Sequence, residues 1–275
     1  MKQAIFTMPP MPEMEFAITR TKLDASSPMN VNEAHIHKTC EVYVNLSGKV
    51  SFAVEDRLYP ISRGSVIVTM PYEYHHCIYH SDEPHEHFWI TFSAQNDQEY
   101  LNLFFGREKG MDNRIVLEEP ALEKLCELLE VLMDEKVQML DRRIGILQFF
   151  RILSEGQRST QFAPAQKLPQ TVETALGYMD QNLAQELDIQ MLARKCHVSV
   201  NTLERHFRES LGITPFAAIR RKRLFVSMMY LRKGESVTAA ARKSGFSDYS
   251  NYIQLFRKQF GITPGQYKNQ FFANK

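Results

Sequence analysis

Leu211-Gly212-Ile213-Thr214-Pro215 and Phe260-Gly261-Ile262-Thr263-Pro264 repeat one pattern about fifty residues apart, and the agreement runs upstream. Phe207 answers Phe256, Arg208 answers Arg257, and Ala193 answers Ala241. A solenoid needs at least about 3 repeats to bury a continuous core. Two copies therefore imply a small self-contained helical module used in tandem.

Each copy reads as two helices joined by a tight turn. In the first, Asp188 caps a short helix running through Lys195, Cys196–Val198 turns, and Ser199 caps a second helix with Leu203, Phe207 and Leu211 inward. In the second, Thr238 caps Ala239–Ser244, Gly245 turns, and Asp248 caps a helix with Tyr252, Phe256 and Phe260 inward. Gly212 and Gly261 end the second helices, and Thr214-Pro215 and Thr263-Pro264 start the next ones. Two helices, a short turn and a polar outer face on the second helix make a shape that reads DNA.

Charge divides the chain. Residues 166–275 hold 17 Lys and Arg against 8 Asp and Glu, whereas residues 1–165 hold 16 against 24. A basic third joined to an acidic remainder suits a nucleic-acid-binding domain attached to a domain with another task. Arg220-Arg221-Lys222-Arg223, on the helix between the modules, is placed for phosphates, with Arg221 as the expected contact.

Ala193, Ser199, Leu203, Arg205, Phe207, Gly212 and Pro215, then Arg223-Leu224, Gly245-Phe246-Ser247, Tyr252, Phe256-Arg257-Lys258, Phe260-Gly261, Thr263-Pro264 and Tyr267, resemble the AraC/XylS-type regulator signature over about 100 residues. Ala240, Ser227 and Ile253-Gln254 depart from it, where Ile, Ala and Ser-Arg are usual. The resemblance implies double-stranded DNA as partner, RNA polymerase as a second, and activation, often of a carbohydrate-uptake or metabolic operon; a homodimer is expected from the connector helices described below. It also aligns Asn201, Glu204 and Arg205 with base-facing positions, and their chemistry suits adenine, cytosine and guanine. Tyr249, Ser250, Ile253 and Gln254 fall at the same places in the second module. The intervening helix, roughly Pro215–Arg232, would be a rigid spacer setting the two reading helices in successive major-groove segments.

The first part of the chain has a different texture. Val42–Leu46, Val50–Val54, Ser65–Thr69 and Phe88–Phe92 are β-branched and aromatic runs punctuated by Ser47-Gly48, Glu55-Asp56, Arg63-Gly64 and Met70-Pro71. Closely spaced strands without helices between them predict a small antiparallel barrel or jelly roll. No stretch approaches 18 apolar residues, and Met1–Phe6 is too short for the apolar part of a signal peptide. Cys40, Cys77, Cys126 and Cys196 are scattered without a Cys-x-x-Cys, as expected of reduced thiols in a cytoplasmic protein with no membrane partner.

Seven of the nine histidines fall within residues 35–87. On a strand, His35 and His37 would share a face, with Glu41 four residues on and Gly48 seven further. That spacing resembles the first motif of cupins, and Gly64, Pro71 and His75 or His76 resemble the second, with Glu73 in place of the usual Gly. Two roles stay open. His35, His37, Glu41 and His75, with Tyr43 and Trp89 as stacking faces, would bind a small polar effector such as a sugar without a cofactor. Alternatively His35, His37, Glu41, His75 and His76 would ligate one divalent transition metal, as in a cupin enzyme or a metal-responsive regulator. The C-terminal duplication weighs against an enzyme.

Pro120 opens a helix with Leu122, Leu125, Leu129 and Leu132 on one face, and a second helix follows from about Gln138 to Glu155 with Leu140, Ile144, Leu147, Phe150 or Arg151, and Leu153-Ser154 near its end. Such helices cover the barrel or pair two chains, and Leu125, Leu129 and Leu132 are the candidate subunit contact. The expected architecture is α+β: a cupin-like effector-sensing barrel at 1–110, connector helices and linker at 111–165, and a domain with two helix-turn-helix motifs at 166–275.

Overall fold

The computed structural model describes residues 2–7, 15–23, 37–79, 83–93, 99–159 and 168–272. His35 lies outside them. The chain divides into two compact units, Met1–Gln166 and Lys167–Lys275.

Among the described residues the first unit holds nine strands: β1 (Lys2–Thr7), β2 (Phe16–Leu23), β3 (Cys40–Ser47), β4 (Val50–Val54), β5 (Arg57–Ile61), β6 (Ser65–Thr69), β7 (His75–Tyr79), β8 (His85–Phe92) and β9 (Arg114–Val116). They pair antiparallel into a six-stranded sheet, β1-β2-β8-β3-β6-β9, and a three-stranded sheet, β5-β4-β7. The expected closed barrel is corrected: among the described residues no ladder joins one sheet to the other. The edges account for this. Pro60 deprives β5 of a backbone donor, and β9 is three residues long.

Side-chain alternation gives the large sheet two different faces. One carries Val42 and Val44 of β3, Phe88, Ile90 and Phe92 of β8, and Val66 and Val68 of β6, all at most 1% exposed. Helix α1 (Asn102–Phe105) and two longer helices, α2 (Glu119–Met133) and α3 (Met139–Ser159), belong to the same core. Pro120 starts α2, and Leu122, Leu125, Leu129 and Leu132 recur at 3-4-3 spacing, each buried in that core. These leucines are therefore not a subunit contact. The expected inner face of α3 is corrected in its first half. Phe150 and Leu153 point inward as expected, joined by Ile146 and Phe149, while Leu140, Ile144 and Leu147 are 69%, 47% and 54% exposed. Gly145 explains the choice: a Cβ there would lie 2.9 Å from Leu132 Cδ2, so the missing side chain lets α3 close on α2.

Glu73, the departure from the cupin pattern, has a structural task. Its buried carboxylate accepts from Met70 N (2.9 Å), Gly110 N (2.6 Å) and both terminal nitrogens of Arg107 (2.9 and 2.7 Å). Arg107 also donates to the Val68 and Met111 carbonyls, which ties the loop before β9 to the end of β6.

The second unit is helical: α4 (Gln170–Asn182), α5 (Ile189–Lys195), α6 (Val200–Leu211), α7 (Pro215–Arg232), α8 (Val237–Lys243), α9 (Tyr249–Phe260) and α10 (Pro264–Phe272). Asp188, Ser199, Thr214 and Asp248 each cap a helix through a side-chain oxygen, as their sequence positions imply. Ser236, rather than Thr238, caps α8, accepting from Ala239 N at 3.1 Å, so that helix begins two residues earlier than expected.

Helix α7 packs against α6, α8 and α10. Its surroundings overturn the phosphate role given to Arg221, which is buried at 7% exposure in a helix enclosed on several sides. Lys222 pairs with Asp180 at 2.8 Å, and Arg223 donates to the Leu183 and Gln185 carbonyls beyond the end of α4. Gly245 completes that joint. Its φ is +89°, and a Cβ would fall 2.4 Å from the Leu183 carbonyl oxygen. Gly261 has φ +73° but nothing within 4 Å of the same point. Gly261→Ala is expected to cost about 1 kcal/mol from backbone strain alone, and Gly245→Ala about 3 kcal/mol because overpacking adds to it. Urea midpoints of the two variants check this, and equal losses would contradict the Gly245 joint.

Among the described residues no helix is long and apolar enough to cross a membrane.

Candidate functional site

The other face of the large sheet is polar. Glu41, Tyr43 and Asn45 alternate with the core residues of β3, and the register sets Tyr43 opposite Trp89 and Asn45 opposite His87 on β8. Phe52 of β4 and Cys77 of β7 share a cluster with Tyr43 and Ile67, so this face looks toward the small sheet.

At one end, Glu41 lies between two imidazoles. His37 Nε2 is 3.0 Å from its Oε2, and His75 Nε2 is 3.0 Å from its Oε1. Each ring is turned by its other nitrogen: His37 Nδ1 donates to the Thr39 carbonyl at 2.9 Å and His75 Nδ1 to the Glu73 carbonyl at 2.8 Å. Burial pushes the Glu41 carboxyl up, but the imidazoles of His75 and His37 outweigh it and hold the group below the usual carboxylate range. Burial lowers His75, and Glu41 overcomes that to leave it raised. With Nδ1 occupied, each Nε2 approaches the carboxylate only by carrying a proton or by sharing a cation with it. One ligand atom from each of His37, Glu41 and His75 lies within 4.8 Å of the others, so the three fit a metal geometrically.

His37 precedes β3 rather than lying on a strand, so the expected shared strand face with His35 is not its setting. His76 is next to His75 on β7 and therefore turns to the opposite face, outside this group.

Further along the same face, His85 Nδ1 donates to the Ser47 carbonyl at 2.5 Å, which leaves its Nε2 to accept from Tyr43 OH at 2.8 Å. Gly48 makes the space, since a Cβ there would meet His85 Nδ1 at 2.5 Å. The Tyr43 hydroxyl also lies 3.2 Å from Asn45 Oδ1. The Tyr43 ring stacks on His87 at 4.9 Å and meets Trp89 edge-on at 5.2 Å. Burial, with His85 nearby, drives His87 down to about 3, and burial lowers His85 as well. Three buried polar atoms on this face, Asn45 Nδ2, Thr69 Oγ1 and His87 Nδ1, have no hydrogen-bond partner among the described residues. Native interiors rarely leave such atoms unmatched.

Of the residues expected to bind an effector, the structure sets Glu41, Tyr43 and Trp89 on the polar face of the large sheet and brings His37, from before β3, and His75, from β7 of the small sheet, onto Glu41. Asn45, Thr69, His85 and His87 join them and were missed as site residues. The alternation of His85, His87 and Trp89 along one strand was the available signal.

In the second unit the expected DNA-reading residues lie on α6 and α9. Asn201 and Arg205 are exposed, while Glu204 is half-buried and 3.9 Å from Arg208. Tyr249, Ser250 and Gln254 are exposed, and Ile253 is half-buried.

A polar, buried inter-sheet face in one unit and capped helix pairs with polar outer faces in the other define a ligand-binding, DNA-binding regulator. Residues 20–167 match the AraC-like ligand binding domain and residues 192–270 match a helix-turn-helix domain. The chain belongs to the AraC family of DNA-binding transcription regulators. It is 23% identical to the thermoregulatory protein LcrF of Yersinia pestis over 246 residues, 84% of this chain and 89% of LcrF. It is 30% identical over 107 residues to the transcriptional activator RhaS of Pectobacterium carotovorum subsp. carotovorum, 38% of each chain. Fatty-acid-bound ToxT of Vibrio cholerae aligns over 92% of this chain and 95% of its own, at 15% identity and a TM-score of 0.38.

The buried imidazoles make stability depend on pH. His87 ionises at about 3 in the folded chain against an ordinary 6.5, so between those values the unfolded chain binds a proton that the folded chain refuses. Stability therefore falls as pH drops through that window. His75 acts oppositely: its contribution is present below 6.5 and lost as pH rises through its raised value. In His87→Gln the stability slope between about pH 6 and pH 4 should be shallower by about 1.4 kcal/mol per pH unit. Urea unfolding across that range checks it, and an unchanged slope would contradict a buried neutral His87.

Proposed function

We propose that the first unit binds a small, neutral, hydroxyl-rich effector such as a sugar between its two sheets, and that binding controls how the second unit occupies DNA. The carrying observation is the set of three unmatched polar atoms, Asn45 Nδ2, Thr69 Oγ1 and His87 Nδ1, on a face that also presents Tyr43 and Trp89. Depressed His85 and His87 keep that end uncharged, which favours hydroxyls over anions. A ligand tighter for one state of the regulator shifts its population by that difference.

In the second unit, α5–α6 and α8–α9 act as two helix-turn-helix modules with Asn201, Glu204, Arg205, Tyr249, Ser250, Ile253 and Gln254 toward bases. The protein acts by binding rather than turnover, in the cytoplasm where the DNA is, and activates through contact with RNA polymerase. It works as a homodimer, and the exposed stripe of Leu140, Ile144 and Leu147 at helical spacing on α3 is the surface that supports this. Sedimentation equilibrium decides between one copy and two.

A second reading has its own observation. The convergence of His37, Glu41 and His75 suits Fe, Mn, Ni or Zn, which would take the place of the protons between imidazoles and carboxylate. Elemental analysis of the purified chain separates the two.

The effector reading is tested by Thr69→Val, which keeps side-chain shape and removes an unmatched hydroxyl. Without ligand, its melting temperature should equal or exceed that of the wild type, because a buried unpaired donor costs about 1–3 kcal/mol. A panel of sugars and polyols should stabilise the wild type, by about 2.7 kcal/mol at a hundredfold excess over Kd, and the variant markedly less. No stabilising compound, or equal stabilisation of both proteins, would contradict the site.

A further inference from the structure

Three of the four cations at the start of α7 are taken up by the fold: Arg221 is buried, Lys222 pairs with Asp180 and Arg223 donates to the Leu183 and Gln185 carbonyls, while Arg220 stays exposed. One exposed cation leaves most of the backbone contacts to other parts of the second unit, and the duplication offers a matched pair. Helices α5 and α8 both end in two cations, Arg194-Lys195 and Arg242-Lys243, at equivalent points of the two modules, and all four are exposed. Lys243 is engaged with Glu235, and Lys195 lies over the Tyr178 ring at 5.4 Å. Arg194 and Arg242 have no ion pair or side-chain hydrogen bond among the described residues.

Cations in a last turn also offset the helix dipole. Here the backbone already supplies donors to that end. Cys196 N reaches the Leu192 and Arg194 carbonyls, and Ser244 N reaches those of Ala240 and Arg242. Two exposed guanidiniums thus stand at the same place in both copies, although much of the outer surface has diverged: Glu204 answers Ile253, Arg205 answers Gln254, and Glu209 answers Lys258. The other retained exposed pair, Arg208 and Arg257, lies on the second helices, where Arg208 is 3.9 Å from Glu204. Sequence-reading positions differ between modules that read different bases. A phosphate contact has the same chemistry in both, and in a helix-turn-helix the first helix crosses the backbone.

We infer that Arg194 and Arg242 are phosphate-holding residues, one per module, which fix the register of α6 and α9 on the duplex. The inference rests on the two-module reading of DNA binding. It concerns affinity for any sequence, so it can be tested without an operator.

The test uses the full chain and a random-sequence duplex of about 30 base pairs, with affinity followed by fluorescence anisotropy from about 50 to about 200 mM salt. Arg194→Gln and Arg242→Gln should each lower the slope of log K against log salt by about 0.9, and the double variant by about 1.8. Melting temperatures should stay at the wild-type value, and Lys49→Gln, an exposed charge of the first unit, should leave the slope unchanged. A double variant with the wild-type slope overturns the inference. So does a lower melting temperature with the slope kept, which would assign both residues to the helix ends. A wild-type chain whose duplex binding does not weaken with salt would overturn the two-module reading itself, and this inference with it.

Discussion

Strand β3 sends Val42, Val44 and Leu46 toward the helices and Glu41, Tyr43 and Asn45 toward the second sheet, and the first unit depends on that division. A register slip of one residue would exchange the faces, placing a carboxylate among Leu125, Leu129 and Phe149. Because β8 and β6 alternate in phase with β3, the apolar halves of three strands meet α2 and α3. The polar halves are left facing the small sheet. Folding and binding use opposite sides of one sheet, which frees the binding side to hold groups a core would not tolerate.

In the second unit the comparable constraint is α7, about 27 Å long at 1.5 Å per residue and packed against α6, α8 and α10. Arg223 and Gly245 lock its middle to the end of α4. Arg221, Lys222 and Arg223, which look like DNA contacts in the sequence, are absorbed by this arrangement, while Arg220 stays exposed. On the proposed reading, the main surface for DNA is the outer faces of the duplicated helix pairs.

The helical half was legible because its signals are local. Caps at Asp188, Ser199, Thr214 and Asp248 and the two Gly-Ile-Thr-Pro turns are fixed by residues within a few positions of one another. The fate of Arg221 was not, since burial of a cation depends on which helices surround it. In the first half, strand runs such as Val42–Leu46 and Ser65–Thr69 could be read, while their assortment into two sheets could not, because strand pairing joins residues far apart in sequence. The face of α3 turned on Gly145, whose significance appears only when Leu132 is beside it. Glu41 with His37 and His75 was expected as a group. Asn45, Thr69, His85 and His87 were not, because only strand register brings them to that face.

Selection of binding sites from random DNA tests the central claim most directly, namely that two helix pairs held by one rigid helix read DNA side by side. The wild-type chain should enrich two short elements whose centres lie about one helical turn, 10 to 10.5 base pairs, apart. With Arg205→Ala, one element should lose preference at one or two positions, at a cost of about 1–3 kcal/mol at the wild-type site, while the other element keeps its sequence. Enrichment of a single element, or an Arg205→Ala profile identical to the wild type, would contradict the account.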